Sequence, residues 1–326
     1  MLTRRGFVAS ASASLLAGPA LAQSYPTQTI HIIAGFPPGG GIDISARLMT
    51  EPLKNALGQT VIVENRTGAA GMLAANTVAK AAPDGHMLLM ATSGEIAIAP
   101  HLYKGKMTYD PRRELAPVAL VGVVPCVVVV ADSTPVHNPK ELIAYAKANA
   151  GKLSFSSSGV GNPQQLAGEL MNTMAGTNVL HVPYRGAAPA VTDVATGAVT
   201  MSFASLAAAL PLIKAGKLRA VAVTSKDRMP QLPDVPPLSE GAPGLAGYEL
   251  LNWFGMFAVA GTPQPIVDRL NGIVNTALKN PAIADKLIPQ GIVPQPMNAA
   301  DFTKFVASES EKFGKIIVQA NIKVAN

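Results

Sequence analysis

The stretch AGFPPGGGIDIS, residues 34–45, has a composition suited to binding an anion through backbone amides. It follows the apolar run Ile30–Ile33 and leads into a helical pattern, which predicts a turn between a strand and a helix. Amides at a helix start face outward at the positive end of the helix dipole, and glycines let a ligand approach them. Pro37 and Pro38 would stiffen this turn. We interpret it as a carboxylate-binding loop, with a purely structural turn as the alternative.

The same arrangement recurs further along the chain. Loops rich in small residues follow other predicted strands in ENRTGAAGML (Glu64–Leu73), SSSGVGNPQQLAGEL (Ser156–Leu170) and VPYRGAAPAV (Val182–Val191). Ligands of open α/β sheets bind at the carboxyl ends of strands. Two loops from each half of the chain would therefore converge on one cleft, where amides, hydroxyls and two arginines, Arg66 and Arg185, are available to a carboxylate.

A structural role is the simpler hypothesis for several of these polar residues. Arg66 and Arg185 fit a structural or solvated position equally well. Asn162 and Gln165 flank a first-turn proline at the spacing of a helix cap and its partner. Asp43 sits where an acid stabilises a helix start.

No residue pattern predicts catalysis, a metal site or a cofactor. The Gly-x-Ser-x-Gly motif of serine hydrolases is absent, and the five histidines lack a metal-binding spacing such as His-Glu-x-x-His. Cys126 is the only cysteine and lies within the apolar run Val123–Val130, so we expect it to be buried and inert. A periplasmic enzyme therefore remains only a remote alternative.

The first 22 residues are interpreted as an export signal. Arg4 and Arg5 precede an apolar segment and the cleavage-site pattern Ala20-Leu21-Ala22, in a general secretory or twin-arginine signal. Its removal takes two arginines and lowers the formal net charge from +6 to 6 − 2 = +4. This mild charge without a basic run gives no support to nucleic-acid binding. No later apolar segment is long enough to cross a membrane, so we expect a periplasmic protein that is not membrane-embedded.

Alternating strands and helices predict an α/β fold with largely parallel sheets. Two helices are well defined by their apolar periodicity, Pro263–Lys279 and Asp43–Leu57, although Pro52 should kink or break the second. We expect residues 23–125 and 229–326 to form one domain and residues 126–228 the other. The strands are predicted at Ile30–Ile33, Val61–Val63, Met87–Met90, Val127–Val130, Leu153–Ser156, Val179–Val182, Val199–Phe203, Leu218–Thr224 and Met256–Ala260.

An ordered set of motifs resembles one family, the Bug-type periplasmic receptors of tripartite tricarboxylate transporters. The likeness covers essentially the whole chain after the leader. Each motif alone is unspecific, but their order and spacing are specific. They are FPPGGGID, VIVENRTGAAG, AAPDGHMLLMATSG, YDPRRELAPVALV, LAGELM, HVPYRGAAPAVTDV and LIKAGKLRAVAVTSKDRMPQLPDVPPLSE.

The resemblance implies a two-domain Venus flytrap that closes on a small organic acid in a hinged cleft. It implies binding by the loop after the first strand and by its counterpart in the second domain, partly through ordered waters. Thr92 and Ser93 of the TSG turn, Arg185 and Ala204 are further candidates. The candidates on the two loops are Phe36, Pro37, Pro38, Gly39, Gly40, Gly41 and Asp43, then Ser156, Ser157, Ser158, Gly159, Gly161, Gln165 and Glu169.

Three departures from the family pattern concern the ligand. Gln165 replaces a histidine, Ala204 replaces an acid suited to an amino group, and Ile96 and Ala99 replace a histidine and an asparagine. All three remove charge or polarity, which favours a carboxylate with a carbon-rich body and no amino group. A dicarboxylate or an aromatic acid such as terephthalate is the specific hypothesis.

The resemblance also implies the partners. We expect a monomer that delivers its ligand to the membrane subunits of a tripartite tricarboxylate transporter, without a cofactor. A sensor that presents the ligand to a membrane signalling protein is the alternative, because both functions use the same closed state.

Overall fold

The fold is a mixed α/β architecture, and the computed structural model describes residues 25–323. The predicted export signal lies outside the described residues. The strands of the described part are β1 Ile30–Ala34, β2 Val61–Asn65, β3 Met87–Thr92, β4 Leu115–Ala131, β5 Ser154–Ser157, β6 Leu180–Pro183, β7 Met201–Ser205, β8 Leu218–Val223, β9 Leu251–Val259 and β10 Val293–Pro294.

Helices connect most of these strands. The α-helices of the described part are α1 Gly41–Leu57, α2 Met72–Ala79, α3 Ala99–Leu102, α4 Pro111–Glu114, α5 Pro139–Ala148, α6 Pro163–Ala175, α7 Ala187–Ala195, α8 Leu206–Lys214, α9 Gln264–Leu278, α10 Pro281–Leu287 and α11 Ala299–Gln319. A π-helix, Gly94–Ile98, follows β3. Helix α1 runs through Pro52 without a break, so of the two expected effects, a kink or a break, the break does not occur. Pro52 lies on a partly exposed side, where water can satisfy the carbonyl that the missing N–H would have bound.

The strands form two half-sheets that share β4. The first has the order β2-β1-β3-β9-β4 and the second β4-β7-β5-β6, while β8 and β10 also pair with β4. Pairing is parallel among β2, β1 and β3 and among β6, β5 and β7, and antiparallel wherever β4 or β9 takes part. The α/β class is thus as predicted, and the central strands are antiparallel because the chain passes directly between half-sheets there.

Strand β4 carries the chain from one half-sheet to the other. Its residues 115–125 pair with β9, whereas residues 126–131 pair with β7 and β8. The return path, residues 224–250, lies beside this crossing, because Thr224 Oγ1 accepts a hydrogen bond from the Cys126 N–H at 2.8 Å. The first part of β4 escaped the sequence analysis, since Pro117, Gly122 and Pro125 interrupt its apolar pattern.

Apolar faces of the helices cover both half-sheets. Helix α1 packs its buried side against the first half-sheet together with α9, as its predicted periodicity required. On the opposite face, Trp253 and Phe257 of β9 form an aromatic cluster with Phe302 and Phe305 of α11. Burial of these large rings holds α11 against the strands that border the site.

Candidate functional site

A cavity of about 340 Å³ lies where the two half-sheets meet. Loops after β1, β3 and β5 reach it, as expected for the carboxyl ends of strands. Phe36, Ala70, Met72, Thr92, Gly94, Ala99, Tyr103 and Asn252 line it on the first side, Val124, Pro125 and Cys126 at the β4 crossing, and Ser158, Gly159, Val160, Gly161, Asn162, Pro163, Gln164 and Ser205 on the second side.

The structure separates the predicted residues into two groups. Five of them line the cavity, namely Phe36, Thr92, Ser158, Gly159 and Gly161. Arg185 is exposed, and no hydrogen bond or ion pair of its side chain occurs among residues 25–323. The others, with Arg185, lie outside the cavity lining, and they are Pro37, Pro38, Gly39, Gly40, Gly41, Asp43, Ser93, Ser156, Ser157, Gln165, Glu169 and Ala204.

Asp43 holds the first loop in shape. Its carboxylate is buried and accepts hydrogen bonds from the Gly39 N–H at 3.0 Å, from Arg47 Nε at 2.9 Å and from Asn65 Nδ2 at 2.9 Å. Asn65 Nδ2 also donates to the Phe36 carbonyl at 2.9 Å. Burial alone would raise the pKa of Asp43, but these hydrogen bonds hold it below its usual value. Asp43 therefore positions the loop instead of facing the cavity.

Two of the three consecutive glycines of this loop have a structural reason to be glycine. Gly39 has a φ of 83°, in the left-handed region. A Cβ on Gly41 would lie 2.8 Å from the Phe254 ring. Gly40, the N-cap of α1, has an ordinary φ of −80° and only the Pro37 carbonyl near its missing Cβ, at 3.6 Å. Its smallness is thus not required by the described structure.

The serines of the second loop divide in the same way. Ser156 is fully buried and donates to the Ala190 carbonyl at 2.9 Å. Ser157 is also fully buried and donates to the Gly159 carbonyl at 2.9 Å, while its Oγ lies 2.7 Å from His181 Nε2. Only Ser158 lines the cavity. Ser156 and Ser157 therefore stabilise the loop through buried hydrogen bonds and do not line the cavity.

The Ser157–His181 pair, which sequence analysis missed, is not arranged for nucleophilic catalysis. Burial lowers the pKa of His181 to about 4, so the imidazole is neutral. The single proton of the Ser157 hydroxyl has two acceptors within reach, the Gly159 carbonyl and His181 Nε2. Because Ser157 is fully buried, its Oγ is closed to a substrate.

Amide side chains fix the second loop above α6. Asn162 caps the helix, as predicted, by accepting from the Gln165 N–H at 2.9 Å, and its Nδ2 donates to Ser158 Oγ at 2.7 Å. Gln165 Oε1 accepts from the Gly161 N–H at 2.8 Å, one residue before the N-cap amide that a capping-box partner would bind, so Gln165 has a structural hydrogen bond but with a different partner. Gln164, which sequence analysis missed, lines the cavity and accepts from the Ser158 N–H at 2.7 Å.

The turn after β3 contains a fully buried carboxyl group. Glu95 accepts hydrogen bonds from the Thr92 backbone N–H, at 2.8 Å, and from the Thr92 hydroxyl. Burial raises the pKa of Glu95 to about 7, despite these hydrogen bonds. A Cβ on Gly71 would lie 2.9 Å from the Glu95 carboxyl carbon, so this group also packs against the loop carrying Ala70 and Met72. Glu95 thus contacts two of the segments that line the cavity without lining it itself.

Ala204 lies behind the wall instead of in it. It is buried against Val127 and Val129 of β4, and the next residue, Ser205, lines the cavity. The absence of an acid at Ala204 therefore gives weaker information about the ligand than the sequence suggested. Cys126 is buried as expected, although it borders the cavity, and burial raises the pKa of its thiol to about 12.

The cavity lining contains no Asp, Glu, Lys, Arg or His side chain among the described residues. Its apolar and aromatic side chains include Phe36, Met72, Tyr103 and Val160. Within residues 25–323 no cluster of His, Cys, Asp and Glu could hold a metal ion. No helix in that range is long and apolar enough to cross a membrane.

The fold and this cavity define a solute-binding protein of the periplasmic type. Residues 45–322 match the family model for the tripartite tricarboxylate transporter family receptor, TctC. The chain therefore belongs to this receptor family, and the resemblance seen in its motifs is confirmed.

Individual relatives agree with this assignment. The chain is 32% identical to the protein BugT of Bordetella pertussis over 318 residues, which cover 98% of this chain and 96% of BugT. It is similar to the structure of R. palustris Rpa4515 with adipate, with a TM-score of 0.79, 34% identity and coverage of 92% and 99% of the two chains. MatC of Rhodopseudomonas palustris with bound malate gives a TM-score of 0.74, 31% identity and coverage of 90% and 100%.

Proposed function

We propose that this chain is an exported receptor that binds a small organic carboxylate without an amino group and delivers it to the membrane subunits of a tripartite tricarboxylate transporter. The observation that carries the proposal is the cavity between the half-sheets, which has no charged side chain in its described lining. An ammonium group would find no carboxylate partner there, and burying it unpaired is costly. Two relatives of similar fold hold the carboxylates adipate and malate.

The apolar part of the cavity favours a carbon-rich ligand body. Phe36, Met72, Tyr103 and Val160 supply apolar and aromatic contact area. A volume of about 340 Å³ suits a molecule of the size of a six-carbon diacid or a benzene carboxylic acid. Terephthalate stays the specific aromatic hypothesis, and the predicted first loop, Phe36–Gly41, stays the proposed donor of backbone amides.

Closure about the β4 crossing would complete the function. We propose that residues 23–125 with 229–326 form one domain and residues 126–228 the other, and that the chain acts in the periplasm after removal of residues 1–22. A ligand that touches both walls stabilises the closed state in proportion to those contacts. The membrane subunits would recognise this closed form.

A thermal-shift screen followed by calorimetry tests the proposal. Residues 23–326 are tested with aliphatic dicarboxylates, aromatic acids, tricarboxylates and amino acids, each acid beside its amide. A ligand at 100 times its Kd stabilises the protein by ~2.7 kcal/mol, which raises Tm by several degrees. Stabilisation by acids lacking an amine is expected. Preferential micromolar binding of aspartate or glutamate, or no binding by any acid, would refute the proposed ligand class.

Delivery is tested separately from binding. Uptake of the identified acid is measured in cells with and without the receptor gene, and in cells lacking the two membrane subunits. Loss of uptake in both deletions supports transport. Normal uptake in both, together with loss of a transcriptional response to the acid, would support the sensor alternative.

A further inference from the structure

We infer that Asn252 selects a carboxylate over its neutral amide, because its side-chain oxygen is held by two donors and its NH₂ group is left as the donor for the ligand. This inference rests on the proposed function, since it assigns the group that recognises the carboxylate. Asn252 is in β9 and lines the cavity. Sequence analysis gave no signal for it.

The orientation of the Asn252 amide follows from its partners. Its Oδ1 accepts from Ser93 Oγ at 2.8 Å and from the Trp253 backbone N–H at 2.8 Å. A backbone N–H can only donate, so the atom that it meets must be the oxygen of the amide. No hydrogen bond occupies Nδ2 among residues 25–323. Both donor hydrogens of this side chain therefore have no partner among the described residues, and the residue that carries them borders the cavity.

The same polarity is repeated across the cavity. Three amide side chains line it, and each one gives its oxygen to a backbone N–H. Gln164 Oε1 accepts from Ser158, and Asn162 Oδ1 accepts from Gln165. Because Asn162 Nδ2 donates to Ser158 Oγ, the Ser158 hydroxyl is left to donate its own proton. Both walls thus offer neutral donors, and each amide oxygen already accepts at least one hydrogen bond.

Such a site distinguishes ligands by hydrogen-bond polarity. A carboxylate is acceptor-only and matches these donors, whereas an ammonium group is donor-only. At Asn252 both lone pairs of the amide oxygen are already used, by Ser93 and Trp253, so this side chain has no acceptor left for an ammonium group. Asn252→Asp would keep the bonds from Ser93 and Trp253 and would turn a second carboxylate oxygen toward the cavity. The shape is conserved, but a neutral hydrogen-bond donor at this wall is replaced by a negatively charged acceptor.

The test compares binding of matched probes. Adipate, benzoate and terephthalate, and the amide of each, are titrated into residues 23–326 by calorimetry and by the fluorescence of Trp253, the only tryptophan of the chain. We expect Asn252→Asp to weaken the affinity for the acid by roughly 30-fold or more. The new carboxylate at this position and the carboxylate of the ligand would then repel each other in a cavity that otherwise has no charged side chain in its described lining. Its affinity for the corresponding amide should change less than roughly threefold.

Two further variants test whether a loss of affinity comes from the changed site and not from misfolding. Gln164→Glu reverses polarity on the opposite loop, where Ser158 would still be bound, and should also weaken the acid selectively. Asn280→Asp makes the same chemical change at the exposed cap of α10, outside the cavity, and should leave affinity unchanged. Melting temperatures verify that each variant is folded at the titration temperature.

The outcomes separate this inference from the proposed function. If the wild type binds an acid and Asn252→Asp binds it equally well, or Gln164→Glu alone weakens it, the inference for Asn252 is overturned while the receptor proposal stands. If the wild type binds none of the acids, including those of the wider screen, both are overturned.

Discussion

The backbone of Gly161 lies against the side chain of Leu102, so that a Cβ added to Gly161 would stand 2.5 Å from Leu102 Cδ1. Gly161 belongs to the loop after β5, and Leu102 ends α3 on the other side of the cavity. Since Gly161 lines the cavity and Leu102 precedes the lining residue Tyr103, this contact sets how closely the two walls can approach.

We expect Gly161→Ala to weaken ligand binding by roughly tenfold or more, because the added methyl group forces the two walls apart. The substitution also strains the backbone, which has a φ of 75°. Gly176→Ala in the same half of the protein is the matched control, since its φ is 63° and nothing lies within 4 Å of the new Cβ. Calorimetry should show a large loss only for Gly161→Ala; equal affinities in the two variants would contradict the role of this contact.

Gly40→Val tests the proposed amide loop. The position has an allowed φ and open space, so the free energy of unfolding should change by less than about 1 kcal/mol, while binding should be lost if the ligand approaches these amides. Gly272→Val in α9 adds the same side chain where nothing lies within 4 Å. Unaltered affinity in Gly40→Val, measured with the acid that binds the wild type, would show that the loop is only a turn.

Asp43→Asn should destabilise the protein by about 2 kcal/mol at neutral pH, because a buried carboxylate loses its charge-assisted bond with Arg47. The pKa of Asp43 is lowered from 3.8, so its stabilising effect is fully present above that pH and is lost as the pH falls through the folded-state pKa. The difference in Tm between wild type and variant should therefore shrink in acid. Asp301→Asn, at an exposed helix start, is the control and should have little effect.

Glu95 should make stability fall as the pH rises. Burial raises its pKa from 4.5 to about 7, so between these values the unfolded state loses the proton before the folded state does. The effect amounts to about 3 kcal/mol at most. Urea unfolding of Glu95→Gln should give a flatter profile between pH 4.5 and 8 than the wild type. Glu51→Gln, at an exposed position, is the control. If the free energy of unfolding of Glu95→Gln changed with pH as steeply as that of the wild type, Glu95 would not titrate in this range.

The sequence predicted the strands well and the cavity only in part, for a physical reason. Apolar alternation is local, so β1, β3 and β5 and the loops that follow them could be located from their own residues. Whether a loop residue faces the cavity depends on distant partners. The Ser157 hydroxyl contacts His181 in the interior, and the Asp43 carboxylate accepts hydrogen bonds from Arg47 and Asn65.

Asn252, in contrast, lines the cavity but was not predicted from the sequence. It lies in an apolar strand, and nothing in the neighbouring sequence suggests a ligand contact. Its role depends on Ser93, which is 159 positions away in the chain. Ala204 was predicted from a motif but is one residue out of place, because successive residues of a strand face opposite sides and Ser205 is the one that borders the cavity.

An uncharged cavity also bears on how the receptor responds to the salt around it. Salt bridges at a binding site weaken as dissolved ions screen them, over a length of about 10 Å at 0.1 M salt. Hydrogen bonds from neutral amides and hydroxyls have no such long-range component. For the proposed carboxylate ligand, the Kd should therefore change less with ionic strength than at a site built from salt bridges, because only the long-range field of the whole protein on the anion is screened.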